Sequence, residues 1–219
     1  GTSNGIFVVS GSDFFDALCV APIAARKDMP IILIPDNEIP KSIKKFTRGR
    51  RGTTTYIING NGKISPGVIG EFTNVEVIGG SDKYERNISI IKKFSGDTDF
   101  SSILVATSRD FADALSGAAL AAKDSSPLIF TDGGSLPNVT REFVKSKAIR
   151  DIKILGGYGA VDSNVESQIA GLPAGILSVY NISDSVTEGE NYNFPKTVTI
   201  LKSDYSKEEV PVEWNLSSV

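Results

Sequence analysis

The sequence predicts an α/β protein of tandem repeats, in which mostly parallel sheets are flanked by helices in a Rossmann/Toprim-like layering. Two observations predict this class. The chain matches itself at an offset of 97 residues, and in each copy short apolar segments alternate with helical ones. A third observation, the change to alternating polar and apolar residues after Leu172, predicts a short C-terminal β segment.

The internal match holds without a gap from residue 10 to residue 72. It aligns Asp13-Phe14-Phe15-Asp16-Ala17-Leu18 with Asp110-Phe111-Ala112-Asp113-Ala114-Leu115, and Pro30-Ile31-Ile32 with Pro127-Leu128-Ile129. Because the match covers several successive elements, it indicates a duplicated structural unit and not a single shared motif.

Each copy predicts three strands separated by two helices. The first copy has strands over 6–9, 31–34 and 56–58, with helices starting at Asp13 and Pro40. The second has strands over 103–106, 128–130 and 152–155, with helices starting at Asp110 and Pro137. Short apolar strands joined by helices are typical of a parallel sheet that is covered on both faces.

The domain boundaries follow from where the pattern changes. Residues 75–86 predict a strand, a turn and a helix that have no counterpart before Ile6. We therefore predict a partial repeat over 6–74, a complete repeat over 75–172, and a C-terminal β segment over 173–219. The alternation of polar and apolar residues over 198–201 and 210–214 predicts the C-terminal β segment.

Composition excludes several kinds of active site. The chain has no histidine, which removes Ser-His-Asp and Cys-His arrangements, and its single cysteine, Cys19, cannot form an internal disulfide. Cys19 aligns with Ser116 in an alanine-rich helix, so small size explains it better than nucleophilic catalysis. No metal site, no cofactor and no enzymatic activity are expected.

Two repeated features could carry chemistry but have structural explanations. The pairs Asp13/Asp16 and Asp110/Asp113 are spaced for a helix cap followed by a first-turn acid, with paired-carboxylate catalysis, which could also involve Asp82, as the rival. The turn at 156–159 and its counterpart at 59–62 lack the third glycine of a dinucleotide fingerprint. Tight turns with positive φ explain those glycines.

Charge is distributed unevenly along the chain. The formal net charge is −3, and residues 173–219 hold seven of the acidic and three of the basic side chains. The strongest positive feature is one short basic stretch. It comprises Lys41, Lys44, Lys45, Arg48, Arg50 and Arg51. The stretch reads either as a solvated helix face or as a specialised contact, and its counterpart in the second copy is less basic. Neither nucleic acid binding nor membrane insertion is expected.

Four segments in a fixed order resemble one known family, the cell-wall-binding repeat type 2 family of Gram-positive surface proteins. They are Gly80-Ser81-Asp82-Lys83-Tyr84-Glu85, Asp110-Phe111-Ala112-Asp113-Ala114-Leu115, Pro127-Leu128-Ile129, and Ile154-Leu155-Gly156-Gly157 before Ala160-Val161. With their counterparts they span nearly all of residues 6–172. Residues 188–190 and 210–215 resemble the start of a bacterial immunoglobulin-like domain, and the 47 residues after Leu172 are too few for the roughly 100 that such a sandwich needs.

The resemblance implies a module of three tandem repeats about a pseudo-threefold axis, which holds secreted proteins on the wall through anionic polysaccharides. Val77 and Lys83 stand where the family often has arginine, and Arg86 where a small polar residue is usual. An export signal is expected to have been removed or to lie outside these residues. Repeat-to-repeat or homo-oligomeric packing is a further contact that the resemblance allows.

Charge and position at strand ends indicate six candidate ligand-binding residues. They are Lys83, Arg86, Arg109, Lys44, Lys45 and Arg48. The first three follow predicted strands, where ligands of parallel sheets bind, and the others lie in the basic stretch. Two rivals stay open: a wall hydrolase whose catalytic domain lies elsewhere, and a lattice module that binds protein and not polysaccharide.

Overall fold

The computed structural model describes residues 4–49, 52–172, 176–179, 194–202 and 206–213. Arg50, Arg51, Trp214 and the segment 188–190 lie outside the described residues. Within them, no helix has the length and apolar character needed to cross a bilayer.

The first copy of the repeat forms a parallel four-stranded sheet in the order β2-β1-β3-β4. Its strands are β1 (Gly5–Ser10), β2 (Ile31–Ile34), β3 (Thr54–Ile58) and β4 (Val75–Ile78). Its helices are α1 (Phe14–Arg26), α2 (Lys41–Arg48) and the short α3 (Pro66–Ile69). β1 is buried at all six positions because helices cover both faces of the sheet, as the apolar run predicts.

The segment between the copies joins them. The strand β4 hydrogen-bonds in parallel to β3 and so extends the first sheet. The helix after it, α4 (Lys83–Lys93), packs against both α1 of the first copy and the second sheet. A 3-10 turn, Ser95–Asp97, then leads into the second copy.

The second copy forms a parallel three-stranded sheet in the order β6-β5-β7. Its strands are β5 (Ser102–Thr107), β6 (Leu128–Thr131) and β7 (Asp151–Ile154), and its helices are α5 (Ala112–Lys123), α6 (Asn138–Lys145) and α7 (Ser163–Ala170). The predicted α/β class and its duplicated units are thus confirmed. Pro40 and Pro137 stand one residue before their helices, at the N-cap, each with φ −55° and ψ 144°.

Equivalent positions of the two copies contact each other where the copies join. The rings of Phe14 and Phe111, which are aligned by the repeat, lie 5.9 Å apart at an interplanar angle of 68°. Their exposed fractions are similar, 46% and 53%. Phe15 packs 4.6 Å from Phe130 across the same junction, so one apolar core spans both copies.

The C-terminal residues form a separate antiparallel sheet in the order β10-β9-β8. Its strands are β8 (Ile176–Val179), β9 (Thr197–Lys202) and β10 (Lys207–Pro211). The predicted β character of this region is confirmed, with Val198 and Ile200 buried on one face and Thr197 exposed, as alternation requires.

Candidate functional site

The six predicted ligand residues fall into three places. Lys83 and Arg109 lie near each other at the carboxyl end of β5, where the two copies meet. Lys44, Lys45 and Arg48 lie on the outer face of α2. The remaining residue, Arg86, lies in the interior with 3% of its surface exposed.

Lys83 is held at the junction between the copies by contacts that sequence reasoning missed. Its Nζ lies 3.4 Å from the carbonyl oxygen of Ser108, the residue before Arg109. The same Nζ lies 5.2 Å from the ring centre of Tyr84 and 5.6 Å from that of Phe15, within range of a cation–π interaction. The Tyr84 hydroxyl and the Ser108 hydroxyl are 2.9 Å apart, which ties α4 to the end of β5.

Arg86 is engaged in a buried ion pair. Its Nε donates to Asp16 Oδ1 over 2.6 Å, and the exposed fractions of the two side chains are 4% and 1%. The guanidinium fills the space where a Cβ on Gly60 would lie, 2.4 Å from that position. Burial raises the pKa of Asp16 above its ordinary value, and the hydrogen bond and charge of Arg86 oppose the rise. We therefore place Arg86 in the scaffold that positions α4, and not among surface contacts.

The basic face of α2 is solvent-facing. Lys41, Lys44, Lys45 and Arg48 surround a shallow hollow of about 350 Å³. Lys44 forms an ion pair with Glu71, whereas Lys41, Lys45 and Arg48 have no carboxylate within 4.0 Å in the described part of the chain. Like charges at this helical spacing destabilise a helix by a few tenths of a kcal/mol per pair, so their cost is modest.

The repeated carboxylates have mostly structural partners. Asp13 caps α1 by accepting from the amide of Phe15 over 3.0 Å, and Asp110 accepts from the amide of Ala112 over 3.0 Å. Asp82 caps α4 through the amide of Glu85. Burial alone would raise the pKa of Asp13, but the hydrogen bond from Lys63 and the Phe15 amide lower it overall. Asp13 and Asp82 are thus helix N-caps, whereas Asp110 stands one residue before the N-cap of α5, which is Phe111.

Cys19 is enclosed by the shared core. It is 2% exposed, and burial raises the pKa of its thiol well above the ordinary value. A thiol that stays protonated is a poor nucleophile, so the small-residue explanation holds. Among the described residues, no group of three or more metal-ligating side chains is positioned to hold a metal ion.

The turns after β3 and β7 differ in detail. Positive φ falls on Asn61 (52°) and Gly62 (67°) in the first copy, but on Gly156 (88°) in the second. Asn61 corresponds to Tyr158, which is 78% exposed. The equivalent turns therefore present different side chains at the same end of their sheets.

Comparison with known proteins assigns the family. The sequence profile described as Cell wall binding domain 2 (CWB2) matches residues 2–69 and 77–166, which is more than half of the chain. The chain belongs to this family. A second profile, the bacterial Ig-like domain (group 4), matches residues 179–219, and so both predicted resemblances are confirmed.

Two relatives of this CWB2 chain are named for an amidase or for its enhancement. It is 28% identical over 169 residues to the N-acetylmuramoyl-L-alanine amidase LytC of Bacillus subtilis, covering 77% of this chain and 34% of the amidase. It is 30% identical over 178 residues to the amidase enhancer of the same organism, covering 78% and 23% of the two chains. The chain thus spans about a third or less of each relative.

Two solved structures share the fold. Cwp6 from Clostridium difficile matches with a TM-score of 0.71 and 26% identity, over 78% of this chain and 28% of that one. Cwp8 from the same organism matches with a TM-score of 0.64 and 25% identity, over 78% and 30%. These matches and the CWB2 profile establish the chain as a cell wall binding module associated with the cell surface.

The loop after β6 in this CWB2 module gives a testable pH dependence. Asp132 accepts hydrogen bonds from the amides of Gly134 and Ser135, over 2.8 and 2.6 Å, and from the Ser135 hydroxyl. Burial opposes ionisation, but these bonds and the nearby charge of Arg109 lower the pKa of Asp132 overall. A carboxyl with a lowered native pKa stabilises the fold above its unfolded-state pKa, and the gain is lost as the pH falls.

We expect the free energy of unfolding to fall as the pH drops below about 4. Urea unfolding between pH 5 and pH 2.5 measures the slope of the free energy of unfolding against pH. Asp132→Asn keeps one oxygen acceptor but cannot ionise, so part of the slope should disappear. An Asp132→Asn slope equal to that of the parent chain would contradict the assignment.

Proposed function

We propose that this CWB2 chain anchors a secreted protein to the Gram-positive wall by binding an anionic wall polysaccharide. Membership of the cell wall binding family carries the proposal, and cations that form no close ion pair support it. Lys45, Arg48, Lys83 and Arg109 have no carboxylate within 4.0 Å in the described part of the chain, although other lysines, such as Lys27 and Lys93, do.

The cations form two separate contact zones. The junction zone consists of Lys83 and Arg109 at the carboxyl end of β5. The helix zone consists of Lys44, Lys45 and Arg48 on α2, to which Lys41 adds charge. A repeating polymer can occupy both zones, and linked weak contacts give a much higher avidity than either contact alone. Arg86 contributes as a positioning residue, because its pair with Asp16 fixes the helix that carries Lys83.

We infer that these residues contain no catalytic centre. The sequence has no histidine, and the candidate carboxylates of the first copy are engaged: Asp13 with Lys63 and a helix cap, Asp16 with Arg86. General acid–base catalysis by a carboxyl pair needs groups that reach the substrate, which a 1% exposed Asp16 does not.

A second candidate places the chain in a wall-lytic protein. The relatives named for amidase activity or its enhancement support it, because the match covers only a part of each. In that case this chain targets the enzyme, and a different part of the parent protein cuts the wall. Release of sugar or peptide fragments from purified walls by the chain alone would overturn the non-catalytic proposal.

Cosedimentation with purified walls tests the anchoring proposal. We expect the chain to pellet with native walls, to be released as salt screens the contacts, and not to pellet with walls stripped of secondary polymers by acid. Equal binding to stripped walls would contradict the polysaccharide target and favour a protein-contact module.

Charge-matched variants locate the contact. Lys83→Ala with Arg109→Ala should weaken wall binding at least tenfold, while Lys93→Ala with Lys153→Ala removes the same charge from ion-paired positions and should change it little. A third variant, Lys44→Ala with Lys45→Ala and Arg48→Ala, measures how much the helix zone contributes to wall binding. If the two double variants bind equally, overall charge and not the junction zone holds the polymer.

A further inference from the structure

We propose that a crevice in the second copy, at the carboxyl ends of β5 and β7, binds one sugar unit that carries a single negative charge. The inference rests on the proposed function and names the chemistry that part of the junction zone recognises. The crevice has a volume of about 250 Å³. Arg109, Asp110, Asp113, Gly159 and Ala160 are among the residues that line it.

The crevice lies where the topology of the second sheet favours a ligand. In the order β6-β5-β7, the chain leaves the central β5 to build β6 on one side and then crosses to build β7 on the other. At such a switch point the connections diverge and leave a gap outside the carboxyl ends of the strands, where ligands of open parallel sheets bind.

The equivalent place in the first copy is closed by its own side chains. Asp36 accepts from the hydroxyls of Ser10 and Ser12, over 2.5 and 3.0 Å. Lys63 forms an ion pair with Asp13 over 2.9 Å. Asp13, Asp36 and Lys63 at that strand end therefore already have partners.

The second copy lacks three of these closing groups. Gly133 stands at the position of Asp36, Ala160 at that of Lys63, and Arg109 at that of Ser12. Gly133 has φ +91°, and a Cβ there would lie 2.7 Å from the carbonyl oxygen of Ala160, so the tight loop leaves no space for a side chain. The replacements turn a closed network into an open crevice beside a guanidinium.

The lining groups suit an acidic sugar better than a bare anion. The exposed guanidinium of Arg109 has no side-chain hydrogen bond in the described part of the chain, and guanidinium binds carboxylate or phosphate through paired donors. Asp113 likewise has no side-chain partner there, and its carboxylate can accept from sugar hydroxyls. The same carboxylate, with Asp110, repels an anion that has no hydroxyls to offer.

The turn that supplies Gly159 to the crevice also carries an exposed aromatic ring. Tyr158 is adjacent in sequence to Gly159, which lines the crevice, and it is 78% exposed. Tyrosine offers a flat apolar face with a polar tip, a surface on which the apolar face of a sugar ring can pack. The first copy has Asn61 at this position, so of these two equivalent turns only that of the second copy carries a ring.

A nuclear magnetic resonance titration of the whole chain tests the proposal with four probes. Glucuronate carries a carboxylate, glucose 6-phosphate carries a phosphate, and glucose and inorganic phosphate each supply half of the required chemistry. We expect one or both acidic sugars to shift the amides of Arg109, Gly133 and Gly159, with the stronger probe identifying the charged group. Equal shifts from inorganic phosphate or from glucose would overturn the proposal.

Three variants separate crevice binding from general attraction. Arg109→Gln should weaken the binding of the preferred sugar at least tenfold, and Ser12→Ala in the closed first copy should leave it unchanged. Ala160→Lys places an ammonium within reach of Asp110, just as the ammonium of Lys63 lies within reach of Asp13. The substitution should therefore close the crevice and weaken sugar binding, although it adds a positive charge. Tighter binding by Ala160→Lys would show that net charge attracts the sugar, and would overturn the proposal.

The outcome is independent of the wall-binding test. If the chain pellets with native walls but no acidic sugar shifts the crevice amides, the anchoring function stands and this inference fails. If acidic sugars bind in the crevice but the chain does not pellet with walls, the crevice stands and the anchoring function fails.

Discussion

Replacing Arg86 by alanine is expected to lower the free energy of unfolding by about 3–5 kcal/mol. The substitution leaves the Asp16 carboxylate buried with no countercharge, and its Oδ2 already has no hydrogen-bond partner in the described part of the chain. Removing one member of a buried pair costs far more than the pair itself contributes, because desolvation of the other charge is no longer compensated. Urea unfolding followed by circular dichroism measures the change.

Two controls separate this explanation from loss of side-chain volume. Arg86→Met combined with Asp16→Leu replaces the pair by apolar groups of similar size, and it should recover most of the lost stability. Lys93→Ala removes an exposed cation from the same helix, where it pairs with Glu76, and the change should be much smaller. If Arg86→Ala costs no more than Lys93→Ala, the buried pair does not hold α4 in place.

The Arg86 pair matters because α4 bridges the two copies through consecutive residues. Arg86 bonds to Asp16 on α1, and the side-chain amide of Asn87 donates to the carbonyl oxygen of Leu128 on β6 over 3.1 Å. Loss of the first contact should therefore loosen the junction that carries Lys83. We expect the variant to weaken wall binding as well as stability, since the junction zone depends on that helix.

The repeat alone predicted most of the architecture. Both copies have the predicted strands and helices to within a few residues, because a 97-residue register of apolar strands and capped helices is a strong local signal. The same signal aligned Phe14 with Phe111 but did not predict that their rings contact each other.

The sequence could not predict how differently the copies bury equivalent residues. Leu18 is 6% exposed and its counterpart Leu115 is 57% exposed. The cause is α4, a single helix that packs on α1 and has no equivalent on α5 among the described residues. Arg86 was chosen as a surface cation for the same reason: its charge was visible in the sequence, but its position between two helices was not.

Replacing Phe130 by alanine is expected to destabilise the chain by about 3–5 kcal/mol, because a large cavity forms in the core that spans both copies. Phe130 is fully buried, and its ring packs against Phe15 of the first copy across the junction. The lost contacts belong to the interface between the copies, so the unfolding of both should move together.

The repeat supplies a matched control at the equivalent position of the first copy. Leu33 aligns with Phe130 but is 54% exposed: α1 packs on β2, but in the described part of the chain no further helix packs there as α4 does on β6. Leu33→Ala should therefore cost less than about 1 kcal/mol, since little apolar surface is returned to water. Equal losses for the two variants would mean that β2 is also covered in solution, and that the burial difference between the copies does not arise from α4.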